Sequence, residues 1–501
     1  MRVIDLFAGP GGLAEGFSSI LDTSGRRVFK VVLSIEKSLY PFRTLNLRSF
    51  YRQFPPGKAP KEYYAFMQGK LTLNNLLSHF PNEASCAEKE TWLTSLGDSN
   101  YSNEHIDVKI SNALSGESNW FLIGGPPCQA YSLVGRSRNQ WSANHNPEED
   151  HPYYFLYREY IRVIEKFAPV AFVMENVPGL FSVITKEGPL ISHILERLTN
   201  PGNNYKYCLY SMSTGAWRMG DSPRDFIVES EKFGLPQARH RIIVFGVRSD
   251  IIGVRFHPMK HKDYIPLQRI IGGLPPLRSG LSKRKDTLTA WKENLKDIFS
   301  QSWFHFLENE QPILANHMRR NIEEAVSKDL TRGGEFLTCK SDNPALKSWY
   351  VDSKIKGQCH HYTRGHQDSD LWRYLFSASS AQIFGRSPRL EEYPKDLLPA
   401  HENVFHGKFN DRFRVQSAEH PAKTITSHIS QDGHYFIHYD PVQCRSLTVR
   451  EAARIQTFPD NYYFCGGQTS QFEQIGNAVP PYLAFCIAKC IYKSLKGKIE
   501  F

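Results

Sequence analysis

Short apolar runs and glycine turns set the rhythm of this chain from its first residues. Residues 3–7, Val-Ile-Asp-Leu-Phe, form an apolar run broken only by Asp5, and Ala8-Gly-Pro-Gly-Gly12 stops it. Residues 13–17 continue with helical spacing. A second run, 28–35, closes on Glu36. A third, Trp120-Phe-Leu-Ile123, is stopped by Gly124-Gly-Pro-Pro127 and then presents Cys128, and a fourth, 170–174, closes on Glu175. Apolar runs of this length between turn residues suit strands buried in a parallel sheet. An amphipathic helical pattern occupies 153–167, and 205–247 holds two further strands around a polar excursion at 213–225. Strands alternating with helices predict an α/β fold. Glu36, Cys128 and Glu175 then fall at strand ends, where open α/β sheets place their chemistry.

Two stretches break the alternation. Residues 37–118 are long for one strand–helix unit and read as a largely helical insertion. From 250 to 420 the chain turns to Gly/Pro punctuation, basic clusters such as Lys283-Arg-Lys285, and interleaved aromatics and histidines, which reads as a separate domain. Cys359-His-His361 lies in that block, but a zinc site needs a second spaced pair of ligands and none accompanies it. The polar stretch 133–152 reads as a mobile loop. Further on, Thr448 with Glu451 three residues later has the form of a capping box, and Gly476-Asn-Ala-Val-Pro-Pro481 leads into a last helix at 482–495.

Composition adds three bounds. With 501 residues, 41% of them hydrophobic, the chain can build a large core and more than one domain. A net charge of +10 and a pI near 9.0 suit a polyanionic partner. Nine cysteines without a Cys-x-x-Cys pair suit reduced thiols rather than a disulfide framework. The first residues enter a strand directly, without a signal-peptide layout, and no apolar run approaches the roughly 20 residues of a membrane span. The expected setting is the cytoplasm or nucleoid.

The candidate chemistry follows from the strand ends. A strand, glycine turn and helix at 3–17 make a cradle in which backbone N–H groups can approach a ligand, and Glu36 suits a bidentate bond to ribose hydroxyls. An acidic residue such as Glu175 closing an apolar strand needs a partner or a task, since burying it unpaired is costly. Gln237, Arg239 and Arg241 alternate, so an extended backbone projects them to one face.

These motifs together resemble the DNA cytosine-5 methyltransferase family, of the bacterial restriction–modification type. Pro126-Pro-Cys-Gln129 resembles the family's nucleophile motif, and Asp5-Leu-Phe-Ala-Gly-Pro-Gly-Gly12 its S-adenosylmethionine loop. The segment Phe233–Gly246, with Gln237-x-Arg-x-Arg241, resembles the eighth motif, and Glu419-His-Pro-Ala-Lys-Thr-Ile-Thr-Ser427 the ninth. The resemblance covers both ends of the chain, in family order. It implies a Rossmann-like S-adenosyl-L-methionine-dependent methyltransferase domain with a smaller target-recognition domain. The expected division is a catalytic part at 1–250, a target-recognition domain at 251–425, and a return segment at 426–501 that completes the catalytic part.

The resemblance also implies roles for residues. Cys128 is the expected nucleophile, Glu175 binds or protonates cytosine N3, and Arg239 is the positive neighbour that also holds the base O2, with Arg241 beside it. Phe7, Gly9, Pro10, Gly12, Glu36, Asp107, Val108, Pro127, Leu156, Asn477 and Val479 are the expected cofactor contacts. Asp107, 21 residues before Cys128, takes the place of the family's acidic residue at the adenine amino group. Arg136 and Arg138 in the loop after Cys128 are candidates for phosphate contacts. The implied substrate is double-stranded DNA, whose target cytosine must leave the stack because none of these groups reaches C6 inside a duplex. A cognate restriction endonuclease is the implied partner, and the protein is expected to act on DNA as a monomer. Two alternatives stand beside this reading: an RNA (tRNA) cytosine-5 methyltransferase, and a catalytically silent DNA-binding regulatory subunit.

Overall fold

The computed structural model describes residues 1–97, 101–127, 156–185, 188–202, 204–399 and 412–501. Among these, nine strands form one sheet: β1 Arg2–Leu6, β2 Lys30–Glu36, β3 Thr91–Leu93, β4 Trp120–Gly124, β5 Ala171–Asn176, β6 Tyr207–Ser211, β7 Gly215–Ala216, β8 Ile227–Glu229 and β9 His240–Arg248. Their order is β3-β2-β1-β4-β5-β9-β6-β7, with β8 pairing β9 beside that path. Strands β1 to β5 are mutually parallel and the remainder antiparallel. The strand order reverses between β1 and β4, so a crevice opens at the carboxyl ends of these strands. This is the α/β, Rossmann-like architecture that the sequence pattern implies.

Side-chain alternation along the strands builds a core on each face. Ile4, Leu6, Leu33, Ile35, Leu122 and Met174 point to one side. There they meet α3 Asn103–Leu114, α4 Leu156–Phe167 and α5 Leu190–Thr199. Helix α4 does so with Tyr157, Tyr160, Ile161 and Ile164, the apolar stripe that the 153–167 periodicity describes. Val3, Val31, Phe121, Ile123 and Phe245 point to the other side, against α1 Gly12–Ser18 and the last helix, α12 Pro481–Leu495. The first and last helices therefore pack together, and the chain's end closes the core that its beginning opens.

The insertion at 37–118 is mostly helical, with α2 Leu39–Gln53 and shorter helices before α3, but it also contributes β3. Three residues, Thr-Trp-Leu, are too few to show a period, yet they pair with Ser34–Glu36 and extend the sheet. In the block 251–425, helices α6 Leu288–Lys296, α7 Ser302–Glu310, α8 Pro312–Ser327 and α9 Asp368–Phe384 share a core around Trp291, Phe304, Met318, Leu371 and Tyr374. A hairpin, β10 Gly333–Thr338 with β11 Gly357–Tyr362, lies beside them. Packing does not break at 250 or 425: Val254, Phe256 and Met259 stay on the first core, and Val442 and Cys444 join the second.

Residues 445–462 form a buried hub. Helix α10 Val449–Ile455 starts at Thr448, and the capping box with Glu451 is present in full. Glu451 also takes both ends of the Arg445 guanidinium, at 2.6 and 2.7 Å, with both side chains about 1% exposed. Burial pushes the Glu451 pKa up, but Arg445 outweighs it and holds the carboxyl well below the usual range. Arg454 bridges Asp460 and Asp342, and Arg450 donates to the carbonyls of Cys359, Pro459 and Tyr462. The Cys359-His-His361 run feeds the same hub. His361 contacts Thr448 Oγ1 and the Pro275 carbonyl, and His360 Nε2 accepts from the Phe464 amide. Cys86, Cys208, Cys339, Cys359, Cys444, Cys465, Cys486 and Cys490 are free thiols, and no helix among the described residues is long and apolar enough to cross a membrane.

Candidate active site

The carboxyl ends of β1, β2, β4 and β5 put four sequence elements on one edge. β1 ends in Leu6 and runs into a loop with alternating left-handed residues, Phe7 at φ 58°, Gly9 at 57° and Gly11 at 96°. Glu36, at the tip of β2, accepts from the Gly9 amide at 2.9 Å and the Ser38 amide at 2.7 Å. Its carboxylate thus shapes the loop, and each oxygen keeps a lone pair for a further donor. At Gly12 a Cβ would come 2.1 Å from the Val479 carbonyl oxygen, so only glycine lets the return segment seat against the loop. Phe7, Gly9, Pro10, Gly12, Glu36 and Val479 therefore gather at this edge, with Pro127 shortly after β4 at the end of the described segment. Asn477 is exposed at the end of α11 Gln468–Asn477.

Glu175 and Arg241 form the other half of the edge. Arg241 Nε lies 2.9 Å from Glu175 Oε1. The Glu175 Oε2 sits 2.9 Å from where a Cβ of Gly125 would be, so the carboxylate overhangs the glycine three residues before Cys128. Cys128 itself lies outside the described residues, as do Arg136 and Arg138.

Arg239 has a different setting from the one the sequence implies. It is 2% exposed, and its guanidinium donates to the carbonyls of Ile425 (2.8 Å), Gly476 (3.1 Å) and Ala478 (3.0 Å). Burial and the neighbouring Arg241 push its pKa down, against the pull of Glu175. The three carbonyls hold this cation, which pins the return segment to the sheet. Gln237, on the same face, extends the clasp: it accepts from the Ile425 amide at 2.7 Å and donates to Gln456 Oε1 at 2.6 Å. The alternation is real: Gln237 and Arg239 bond to the chain's later segments, and Arg241 reaches the Glu175 carboxylate.

Asp107 also stands elsewhere. It lies on α3, and its oxygens accept from Arg162 (2.7 Å) and Lys166 (2.6 Å) of α4. Burial raises its pKa, but those two bonds and charges outweigh it and hold the carboxyl below the usual range. Val108 beside it is 59% exposed. The reason for the displacement is β3. The third strand tip of this edge is Leu93, and Thr94 after it donates its amide to the Glu36 carbonyl at 3.0 Å, so the chain leaving β3 runs beside the tip of β2. Leu156 marks the same place, since its Cδ2 lies 3.5 Å from the Cβ position of Gly97.

The polar residue that interrupts the first apolar run, Asp5, belongs to the strand that leads into this edge. Asp5 is wholly buried in β1, and neither oxygen closes a hydrogen bond among the described residues. Burial raises its pKa to about 8, with Arg52 and the Ala14 amide opposing and Glu36 and Glu90 adding to the rise.

The comparisons with known proteins agree with one another. The family model described as C-5 cytosine-specific DNA methylase matches residues 87–493. The Type II methyltransferase M.Bpa9945I of Bacillus paralicheniformis is 29% identical over 518 aligned positions, covering 99% of this chain and all of that one. The Type II methyltransferase M.DdeI of Desulfomicrobium norvegicum is 27% identical, with 98% of this chain and 88% of that protein covered. A solved structure of a prophage-encoded DNA modification methyltransferase from E. coli matches 99% of both chains at 20% identity and a TM-score of 0.50, a likeness of fold.

Proposed function

The chain belongs to the C-5 cytosine-specific DNA methylase family, and from that premise we propose how its strand-tip edge methylates DNA. It is a DNA (cytosine-5) methyltransferase. S-adenosyl-L-methionine, when bound, supplies an electrophilic methyl group. Phe7, Gly9, Pro10, Gly12, Glu36, Pro127, Leu156, Asn477 and Val479 would hold it. The Glu36 carboxylate and the apolar wall of Phe7 and Leu156 suit an adenosine. The role expected of Asp107 and Val108 passes to the residues that follow β3.

Cytosine C5 is a poor nucleophile until a thiolate adds to C6. Cys128 supplies that thiolate and forms the S–C6 bond, while the ring electrons move toward N3. Glu175 meets N3 and carries the proton that disperses the charge. Arg241, paired with Glu175 at 2.9 Å, is the cation placed for the base O2 and for lowering the thiol pKa. Arg239 supports this geometry through its three carbonyls. After C5 takes the methyl group, loss of the C5 proton and breakage of the S–C6 bond restore the ring. The base must be flipped from the duplex, at a few kcal/mol of unstacking. The 251–425 block is the unit that reads the sequence around it, and the +10 charge favours the phosphates. The Type II relatives point to a restriction–modification setting, with a cognate endonuclease and the nucleoid as the place of work.

The observation that carries this reading is the Glu175–Arg241 pair overhanging Gly125, one strand away from the glycine-rich loop. Bisulfite sequencing of DNA and tRNA from cells expressing the protein identifies the modified cytosine. A duplex with 5-fluorocytosine at that position is then expected to trap a covalent adduct in the presence of cofactor. Undiminished methyl transfer by Cys128→Ser would sink the mechanism, methylation confined to tRNA would move the substrate to RNA, and no adduct with wild type would favour a silent subunit.

A further inference from the structure

Apart from the strand tips, one side chain from the far end of the chain reaches the glycine-rich loop itself. Tyr462 is wholly buried, and its hydroxyl donates to the Pro10 carbonyl in the middle of that loop. The phenol is held on all sides. Phe458 and Phe464 pack on its ring with centroids 4.7 and 5.4 Å away. The Arg48 guanidinium lies between the Tyr462 and Tyr51 rings, at 4.7 and 4.0 Å. Arg48 in turn grips Glu15 of α1 at 2.5 and 2.8 Å and the neighbouring Asn461 at 3.1 Å. Loop and first helix are thus clamped by one turn, Asp460-Asn461-Tyr462.

The loop needs such a clamp. Phe7 is a non-glycine residue in left-handed backbone, a conformation that persists only where its surroundings enforce it. Its other restraints are local or come from the neighbouring strand: Ala8 to the Ile35 carbonyl, Gly11 to the Ala8 carbonyl, and Gly9 to Glu36. Beside the packing of Val479 on Gly12, Tyr462 supplies a long-range hydrogen bond, 452 residues away in sequence. The other end of its turn is tied into the 251–425 block, because Asn461 donates to Asp352, and Asp460 meets Gln358 and, through Arg454, Asp342.

We propose that Tyr462 is a positioning residue that holds the glycine-rich loop in its cofactor-receiving conformation, anchoring the loop to the 251–425 block. The inference rests on the loop being the cofactor's. Burial pushes the Tyr462 hydroxyl well above the ordinary phenol pKa, so it remains a donor at every working pH. The test compares two deletions of one buried hydroxyl each. Tyr462→Phe removes the bond to the loop. Tyr350→Phe removes a bond from the same hub, to the Arg454 carbonyl at 2.8 Å, that does not reach the loop.

Calorimetry with S-adenosylhomocysteine is expected to show Kd rising about five- to tenfold for Tyr462→Phe, the range of one net hydrogen bond, and unchanged for Tyr350→Phe. Hydrogen exchange of the peptide 7–12 in cofactor-free protein is expected to quicken in Tyr462→Phe alone. An unchanged Kd in Tyr462→Phe, or an equal weakening in both variants, overturns the proposal. A wild-type protein that binds no S-adenosylhomocysteine sinks the cofactor reading instead.

Discussion

The strand-tip edge and the 445–462 hub use the same residue types for opposite ends. Glu175–Arg241 and Glu451–Arg445 are both carboxylate–guanidinium pairs at hydrogen-bond distance. The hub pair is sealed, at about 1% exposure each, and Glu451 spends its remaining capacity on the Thr448 amide. The edge pair is 12–13% exposed at the mouth of a crevice. A sealed pair is bound to its fold, because removing one partner strands a charge in low dielectric. A pair at a mouth can change partners when a base enters. Position, not residue type, separates the sealed pair from the open one.

Substituting one carboxylate in each pair tests that contrast directly. Glu451→Gln leaves Arg445 uncompensated and is expected to lower unfolding stability by about 3–5 kcal/mol in urea titrations. Glu175→Gln is expected to shift stability by less than about 1 kcal/mol, while the single-turnover rate of methyl transfer falls about 100-fold or more. If Glu175→Gln destabilises as much as Glu451→Gln, the edge pair is structural after all and the contrast fails.

The same contrast shows why part of the molecule could be read from residues alone. Strand ends, glycine turns and the Thr448–Glu451 box are local signals, and Glu36, Glu175 and the capped helix stand where those signals put them. The place of Asp107 rests on its distance from Cys128, and that distance carries no information about a three-residue strand upstream of both, Thr91–Leu93. The alternation of Gln237, Arg239 and Arg241 shows a shared face, but not that carbonyls 186 to 239 residues away would claim Arg239. The hub is unreadable for the same reason, since Arg454 finds Asp342 112 positions upstream. Sequence periodicity reports which face is buried, and long-range polar pairing decides what the buried face does.

Asp5 lies between the two regimes, sealed like the hub yet beside the glycine-rich loop. Its folded pKa of about 8 stands above the ordinary carboxyl value, so the folded chain keeps a proton that the unfolded chain releases. Folding stability should therefore fall as pH rises from about 4 to about 8 and level off above. Replacing Asp5 with Asn removes that dependence. Urea unfolding at pH 5 and pH 8 is expected to show the variant gaining on the order of 3–4 kcal/mol over wild type between the two. A gap that stays constant with pH would mean that Asp5 is ionised throughout and finds a partner.

The smallest effect is expected at Asp107, where the contrast between edge and scaffold is sharpest for the cofactor. Its two cationic partners are partly exposed, Arg162 at 21% and Lys166 at 53%, so solvent screens the pair. Asp107→Asn is expected to lower stability by less than about 1 kcal/mol. Because Asp107 faces α4 and not the crevice, the Kd for S-adenosylhomocysteine should stay within about twofold of wild type. A carboxylate that held the adenine amino group would instead cost about tenfold, the loss of one charged hydrogen bond. Calorimetry on this one variant therefore decides whether the adenine end of the site is built from α3 or from the residues that leave β3.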